Sequence, residues 1–471
     1  HRTSRRQRQM CIRDRLTGSV ADLNTAFGAK AASGSNGIDF GGSSGAADQA
    51  VEITDATVLA VDLNTLNGNT TGTIDASTLS EIEGTAANVN TIYDSKSGGN
   101  GFTGLGDEAI TLTDTTVTAA ALIDLYTNGT SGVIDASTVH TITGTTANAN
   151  TIYAQTSTFT GLGTENITIT GETSNTLGAA ALNTLNGNTT GNINANTVTT
   201  LTGSISALNT AYAASASTGD GISNLGDEAI TLSDTSVTDV AALNTLNGNT
   251  TGLIDAGTNV TSFTGSISAL NTMFAAAGDS GDKIDFGGTS GAATQTVTIS
   301  DTTDVSVTGL NTLNSNTTGN IDATNVTSLA SASISDIKTL LTNGNNTTNH
   351  FVATSFQSLA TVAVSGTSVS VTDLNDAIDQ ANTATGGTST VFSVASGATI
   401  TTGDDAEFTA LRGHESNGNI DITDQNLTVS SGFVTVDKAN LLHATTTGVV
   451  TASIVTCLLY TSDAADDWFC V

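Results

Sequence analysis

Apolar residues in this chain follow two spacings that alternate along it. In the stretch 229–274, Ile230 and Leu232 alternate with hydroxyl residues, which predicts a short strand with one apolar face. Apolar residues at a spacing of three come next and predict one side of a short helix. A second strand and a second helix follow. The predicted helix residues are Val237, Val240, Leu243 and Leu246 in the first helix, and Ile267, Leu270 and Phe274 in the second.

The unit is repeated in tandem. The decapeptide LNTLNGNTTG occupies residues 63–72 and recurs at 182–191 and 243–252, and it returns as LNTLNSNTTG at 310–319. A looser copy, LIDLYTNGTSG, fills residues 122–132. A period of about sixty residues is typical of a supersecondary unit stacked on copies of itself, because each copy buries an apolar face that it could not bury alone.

We therefore predict an α/β solenoid of stacked coils, each with one strand and one short helix, and with parallel strands. The chain has no proline, which suits stacked strands because each of them needs its backbone N–H groups. The alternative is an all-β right-handed solenoid in which the LNTL segments are turns. Alanine-rich stretches such as 119–121 favour the helical version.

The repeat pattern sets the predicted domain organisation. Clear repeats cover residues 16–349. Weaker relatives of the second helix, such as VTDLNDAI at 371–378 and VDKANLLHATTTG at 436–448, predict a degenerate continuation of the solenoid over residues 350–456.

The two ends differ from the repeats. Residues 1–15 and 457–471 share neither composition nor pattern with them, and both resemble a translated sequencing adapter. Codons that give Gln9–Asp14 also give Leu458–Ser462 when the complementary strand is read in a shifted frame. We therefore expect both ends to be non-native, and the rest to be an internal fragment of a longer bacterial protein from a metagenome.

Excluding the ends changes the possible chemistry. All three cysteines lie in them, so a disulfide framework, a thiolate metal site and a cysteine nucleophile are excluded. Residues 16–456 contain 40 acidic and six scattered basic residues. Phosphate binding needs clustered Lys and Arg, so nucleic acid is excluded as a partner. No apolar run reaches the roughly 18 residues of a membrane span. The excluded cysteines are Cys11, Cys457 and Cys470.

Acidic residues cluster twice beside a predicted strand. Two Gly-Asp-Glu triplets, each followed by a further aspartate, offer the hard oxygen ligands that calcium prefers. They predict calcium as a candidate ligand, although no EF-hand loop is present. We expect no other cofactor. The candidate metal-binding residues are Asp107, Glu108 and Asp114 in one copy, and Asp227, Glu228 and Asp234 in the other.

Two further sets of polar residues recur at matching positions. Carboxylates or amides after the second strand would either form a ladder of like charges that binds cations or cap turns, and capping is the favoured interpretation. Asparagines beside the core leucines predict a hydrogen-bonded ladder inside the solenoid. The first set is Asp75, Asp135, Asn194, Asp255 and Asp322; the second is Asn24, Asn64, Asn90, Asn150, Asn183, Asn209, Asn244, Asn271 and Asn311.

Catalytic motifs are absent from the sequence. Four histidines are isolated, and neither HExxH nor GxSxG occurs; the histidines are His140, His350, His414 and His443. The densest group of titratable residues includes Asp404 and Glu407, and carboxylate pairs of this kind arise by chance in an acidic chain. We therefore predict that the protein is not an enzyme.

The ITLTDTTVTAAAL and LNTLNGNTTG motifs resemble the repeat regions of large secreted bacterial surface proteins, including adhesins and marine cell-surface proteins. The resemblance implies an extracellular or cell-surface spacer or adhesive stalk, with surface or matrix polysaccharides as candidate partners. It assigns no functional residue. A phage or virion fibre, which would form trimers, is one alternative, and a carbohydrate-binding or carbohydrate-processing solenoid is the other.

Overall fold

The computed structural model describes residues 15–29, 38, 40, 48–96, 101–215, 221–278, 283–287, 293–346, 350–386 and 390–455. The two end segments that the sequence sets apart lie outside this part of the chain, except for Arg15. The chain divides into two compact units, residues 1–230 and 231–471. Each unit is an α/β solenoid of short parallel strands and short helices.

Several of the short helices begin where a hydroxyl side chain caps the first turn. Thr85, for example, accepts a hydrogen bond from the backbone N–H of Asn88, which satisfies a donor that the helix itself leaves free. Residues at a spacing of three, such as Leu63 and Leu66, are fully buried on the inner side. The helices are α1 Val20–Gly28, α2 Ala60–Asn69, α3 Ala86–Ser95, α4 Ala119–Asp124, α5 Thr146–Tyr153, α6 Ala179–Asn188, α7 Ile205–Ser215, α8 Val240–Asn249, α9 Ile267–Ala275, α10 Val307–Asn316, α11 Ile334–Asn345, α12 Val371–Ala384, α13 Asp405–Ser416 and α14 Val436–Thr445.

The strands of the first unit have two to four residues, and bends separate them. They are β1 Leu16–Gly18, β2 Val51–Ile53, β3 Thr57–Leu59, β4 Ile74–Asp75, β5 Glu81–Gly84, β6 Phe102–Thr103, β7 Ala109–Leu112, β8 Thr116–Thr118, β9 Ile134–Asp135, β10 Thr141–Gly144, β11 Phe159–Thr160, β12 Asn166–Ile169, β13 Thr176–Gly178, β14 Ile193–Asn194, β15 Thr200–Gly203, β16 Ile222–Ser223 and β17 Ala229–Leu232.

The strands of the second unit are equally short, with two to five residues. They are β18 Ser236–Val237, β19 Ile254–Asp255, β20 Ser262–Gly265, β21 Ile284–Asp285, β22 Thr296–Ile299, β23 Ile321–Asp322, β24 Ser328–Ala332, β25 Thr361–Val364, β26 Ser368–Ser370, β27 Val391–Val394, β28 Thr399–Gly403, β29 Asn426–Val429 and β30 Val450–Thr451. Residues 350–456 were expected to be a degenerate continuation of the solenoid. Their described part contains short strands and helices of the same kind as the clear repeats.

Each strand pairs in parallel with a strand of the next coil. Ile110 of β7 lies between Ile82 of β5 and Ile134 of β9, and this register stacks identical apolar side chains along the core. Two sheets of the first unit have the strand orders β3-β5-β7-β9-β11 and β8-β10-β12-β14-β16. One sheet of the second unit has the order β26-β28-β29-β30. The parallel stack confirms the predicted fold class.

Two details of the prediction are wrong. Coils do not contain one strand each: β6, β7 and β8 precede α4, whereas only β9 and β10 precede α5. Strands of two residues are too short for an alternating pattern to reveal them. The all-β alternative is also wrong, because each exact or nearly exact LNTL copy forms a helix, namely α2, α6, α8 and α10.

The looser repeat copy explains a local irregularity. LIDLYTNGTSG has one residue more than LNTLNGNTTG, and α4 continues into a single π-helical turn over Leu125–Gly129. A π turn accommodates one inserted residue without shifting the flanking contacts. Leu122 and Leu125 therefore remain fully buried.

Candidate functional site

Glu108, a predicted calcium ligand, is buried in the core. One of its carboxylate oxygens accepts hydrogen bonds from the phenol of Tyr93 at 2.8 Å and from the backbone N–H of Gly106 at 2.9 Å. Burial, followed by the charge of Glu108, raises the pKa of Tyr93. The carboxylate thus joins the end of α3 to the strand that follows.

The same pair recurs in the first unit. Glu165 accepts from the phenol of Tyr153 at 2.8 Å, and Glu228 accepts from the phenol of Tyr212 at 3.0 Å. All three glutamates are at most 1% exposed. We call these pairs the Tyr–Glu locks, namely Tyr93–Glu108, Tyr153–Glu165 and Tyr212–Glu228.

Two other coils replace both members of the lock together. Where the helix carries Phe27 or Phe274 instead of tyrosine, the segment just before the strand carries Gln49 or Gln295 instead of glutamate. The amide of Gln295 donates to the backbone carbonyl of Phe286 at 2.9 Å, and that of Gln49 donates to the carbonyl of Phe40. A carboxylate therefore occurs where a phenol can donate to it, which indicates a structural use of the glutamates.

The remaining four predicted calcium ligands lie in different environments. Asp107 and Asp227 are exposed, and Asp234 is half-buried. Asp114 accepts a hydrogen bond from the backbone N–H of Ala86 at 2.7 Å, at the N-terminus of α3 in the preceding coil. This is a favourable place for a negative charge because the helix dipole is positive there. Three other acidic residues cap the preceding helix in the same way: Asp55, Glu172 and Asp301.

Over the described ranges, no group of three or more His, Cys, Asp or Glu side chains is arranged to hold a metal ion. The two predicted Gly-Asp-Glu clusters are each divided between a buried glutamate and an exposed aspartate. Tyr93 and Tyr212 occupy oxygens of the two buried glutamates. Calcium binding by these residues stays a prediction.

Of the two interpretations of the recurrent carboxylates and amides, the structure shows turn capping, which was the favoured one. Asp135 pairs across the strands with Thr111 and with Thr160, whereas Asp75 lies opposite Glu52 and Asp255 opposite Asp285. The side chain of Asp135 accepts from the backbone N–H of Ser137 at 2.9 Å, and so caps a turn. The equivalents Asp75, Asn194, Asp255 and Asp322 accept from backbone N–H groups two or three residues ahead in the same way.

Arg15 contacts two neighbouring carboxylates of the first coils. Its guanidinium pairs with Glu52 at 2.6 Å and with Asp75 at 2.8 Å. Hydrogen bonds from Ser77, and then the charge of Arg15, lower the pKa of Asp75. Although the sequence assigns Arg15 to the adapter-like end, the side chain packs on the first coils.

The predicted asparagine ladder links helix to helix. The side-chain amide of Asn183 in α6 donates to the carbonyl oxygen of Ala207, the third residue of α7, at 2.8 Å. The distance lies between 2.8 and 3.2 Å in seven further helix pairs. Their donors are Asn24, Asn64, Asn90, Asn150, Asn244, Asn271 and Asn311.

The ladder has a member in the degenerate region that the sequence pattern did not identify. Asn375 of α12 donates to the carbonyl of Glu407 in α13 at 2.9 Å. Its position in VTDLNDAI, directly after a core leucine, is the signal that could have identified it. In α11, Lys338 takes the asparagine position and pairs with Asp373 at 2.8 Å.

The last residues of LNTLNGNTTG form a brace between coils. Thr189 donates its hydroxyl to the carbonyl of Glu165 at 2.7 Å and accepts from the N–H of Gly191 at 2.9 Å. A Cβ atom at Gly191 would overlap the carbonyl oxygen of Glu165. Equivalent threonine and glycine pairs follow α2, α4, α8, α10 and α14.

The best catalytic candidates in the sequence serve to cap a helix. Asp404 and Glu407 form a reciprocal capping box at the start of α13, and Glu407 also accepts from Thr372. Burial, and then the charge of Asp421, raises the pKa of nearby Glu415. Hydrogen bonds from Thr423 lower the pKa of Asp421 itself.

One cavity of about 460 Å³ lies between the ends of α11 and α12 in the second unit. Its lining is glycine, alanine, amide, hydroxyl and phenylalanine, and contains no acid, base or thiol. It therefore lacks a group for acid–base chemistry and a base that could activate its threonine hydroxyls as nucleophiles. The lining includes Asn345, Phe351, Gln357, Thr383 and Thr385.

No protein-family model matches the chain, and no curated protein matches it in sequence. Among the helices of the described residues, none has both the length and the apolar character that crossing a membrane requires.

Proposed function

We propose that the protein is a non-enzymatic structural spacer or adhesive stalk, part of a large extracellular or cell-surface repeat protein. The observation that carries the proposal is the use of its recurrent polar residues. Asparagine, threonine and glutamate, which would be the candidates for ligand binding, are engaged between neighbouring coils. A repeat whose polar residues join neighbouring coils is suited to forming a long, stiff stalk.

The surface location rests on the resemblance of the repeats to secreted bacterial proteins, and it agrees with a formal net charge of −32, which favours solubility. The test is display of the full chain between a bacterial surface anchor and a terminal epitope. A stalk holds the epitope accessible to antibody, and an adhesive stalk also binds cells to polysaccharide surfaces. Hydrolysis of a polysaccharide would instead favour the carbohydrate-processing alternative.

Calcium stiffening is the finer part of the proposal, and the exposed Asp107 and Asp227 support it because they lie beside strands in a strongly acidic chain. Thermal unfolding followed by circular dichroism, with calcium and then with chelator, tests it. A calcium-dependent rise in melting temperature that Asp107→Asn and Asp227→Asn remove would support these ligands. An unchanged melting temperature would contradict calcium stiffening and leave the spacer role intact.

A virion fibre is the remaining alternative. Fibres of that kind associate side by side as trimers, whereas a stalk of stacked coils is complete in one chain. Sedimentation equilibrium at low concentration separates the two, because a trimer that persists on dilution would favour the fibre.

A further inference from the structure

Four threonine hydroxyls on one sheet of the first unit have no hydrogen-bond partner in the part of the chain that the structure describes. They belong to β8, β10 and β12. Their side chains alternate with the buried Val117, Ile142 and Ile167, so they point away from the core. The hydroxyl of Thr151 in α5, by contrast, donates to the carbonyl of Ala147. The four threonines with free hydroxyls are Thr116, Thr141, Thr143 and Thr168.

The parallel register arranges these outward side chains in two columns. Thr118, Thr143 and Thr168 lie side by side on successive strands and form the first column. Neighbouring strands are about 4.8 Å apart, and two residues along a strand span about 6.6 Å. The side chains therefore repeat in two dimensions, and we call these six residues the threonine grid. The second column consists of Thr116, Thr141 and Asn166.

The threonine grid carries no charge, although the chain contains 44 acidic residues. Its first column continues to Asn194 of β14 and to Ser223 of β16, which are also uncharged. A charged side chain holds its hydration water strongly, and replacing that water costs far more free energy than replacing the water of a hydroxyl. An uncharged face therefore leaves the arrangement of water to the hydroxyl groups.

An equivalent sheet in the same unit shows that the fold does not require this neutrality. The segment EIEG of β5 has the same repeat position as TITG of β10, so Glu81 and Glu83 stand where β10 has Thr141 and Thr143. Glu81 accepts a hydrogen bond from the hydroxyl of Thr111 at 2.8 Å. Because the coils stack with carboxylates at these positions too, packing alone does not account for the threonines of β10.

The corresponding sheet of the second unit is neither free nor neutral. Ser262 of β20 donates its hydroxyl to Ser236 of β18 at 2.8 Å. Asp322 of β23 lies beside Thr298 of β22 and adds a carboxylate to the column. Of these three sheets, only the one that contains β10 presents free hydroxyls without a charge beside them.

Threonine is suited to holding hydroxyl groups in a fixed pattern. Its branched Cβ restricts rotation about χ1, and the buried apolar residues of the same strands hold the backbone beneath it. A hydroxyl donates one hydrogen bond and accepts two. Thr118 accepts from the N–H of Ala121, and Asn166 accepts from that of Asn192, so both keep donors free. Water bound to the threonine grid therefore repeats with the spacing of the grid.

We propose that the threonine grid binds the ordered water lattice of an ice surface. The grid spacings of about 4.8 Å and about 6.6 Å are close to those at which oxygen atoms repeat on the prism face of ice. The hydroxyls bond to water molecules of the lattice, and the threonine methyl groups fill the spaces between them, which removes apolar surface from liquid water. The inference concerns a ligand and does not rest on the proposed stalk function.

The test measures how the full chain, fluorescently labelled at its N-terminus, partitions between slowly growing ice and the remaining liquid. The parent should be enriched in the ice. Thr141→Glu combined with Thr143→Glu introduces the residues that β5 carries at the same positions, and this enrichment should be lost. The control combines Thr151→Glu with Thr184→Glu. It adds two charges at exposed helix positions whose hydroxyls bond within their own helices, and it should partition as the parent does.

Three results would overturn the proposal. The first is a parent excluded from ice as fully as the Thr141→Glu and Thr143→Glu variant, and the second is that variant enriched in ice as the parent is. The third is binding of the parent to an insoluble neutral glucan, lost in the same variant, without enrichment in ice, which would assign the face to sugar hydroxyls. Circular dichroism establishes that each variant is folded. Thr168→Glu, on β12, is the second variant if the first does not fold.

Discussion

Asn183 donates its side-chain amide to the backbone carbonyl oxygen of Ala207, 2.8 Å away in the next helix. That carbonyl is the third in α7 and already accepts an intrahelical hydrogen bond, but a carbonyl oxygen has two lone pairs. The ladder thus uses spare acceptors that every helix provides. One asparagine per helix is therefore sufficient to connect neighbouring coils through polar bonds.

We expect Asn183→Ala to lower the free energy of unfolding by about 1 to 2 kcal/mol, since a partly buried hydrogen bond is lost. Urea unfolding measures the change. Thr184→Ala is the control, because Thr184 is exposed and its hydroxyl bonds only to Ala180 within its own helix. Equal losses for the two variants would contradict a special role of the ladder.

The Tyr–Glu lock predicts a double-mutant effect. Tyr93→Phe removes a donor from the buried carboxylate of Glu108 and should cost about 1 to 3 kcal/mol. Adding Glu108→Gln should restore part of that loss, because Phe27 with Gln49 is a natural version of the pair. A thermodynamic cycle from urea unfolding measures the coupling. Additive losses would show that the two side chains act independently.

Two glycines of one decapeptide should respond in opposite ways to alanine. Gly191→Ala places a Cβ atom against the carbonyl oxygen of Glu165, and should destabilise the first unit by overlap. Gly187 lies in α6, and a Cβ atom there would have open space within 4 Å, so Gly187→Ala should stabilise by about 0.5 to 1 kcal/mol. Thermal melting of both variants tests the contrast, and a stabilising Gly191→Ala would refute the close approach.

The repeat period and the spacing of leucines predicted the solenoid because both can be read directly from the order of residues along the chain. Strand number was not predictable in the same way. β6 and β9 contain two residues each, so their identity comes from the coils above and below and not from their own pattern. In the sequence, the π turn after α4 was likewise visible only as one extra residue in the repeat copy. The structure shows where that residue is accommodated, because the buried leucines keep their positions.

The candidate site was harder to predict because one sequence repeat spans two coils. Equivalent residues of successive repeats therefore lie two coils apart, and the residues between them come from the other half of the repeat. Asp135 therefore lies beside Thr111 and Thr160, and no carboxylate row forms there. Nor does a Gly-Asp-Glu triplet reveal that its glutamate is buried. The signal was the tyrosine of the preceding helix, which becomes phenylalanine where glutamate becomes glutamine.

Alkaline pH should weaken the first unit through its buried tyrosines. Burial first, and the neighbouring glutamate second, raise the pKa values of Tyr93 and Tyr153. A raised folded-state pKa gives stability that is complete below the unfolded value of about 10 and is lost as pH rises above it. Each buried phenol then lowers the free energy of unfolding by about 1.4 kcal/mol per pH unit.

Urea unfolding between about pH 8 and about pH 11 measures this slope, since the range spans the ordinary phenol pKa. The slope should be shallower for Tyr93→Phe, which has one titrating phenol fewer, and shallower again when Tyr153→Phe is added. Absorbance at the phenolate band should show ionisation of these two groups only together with unfolding. Identical slopes in the parent and the double variant would mean that other groups cause the alkaline loss.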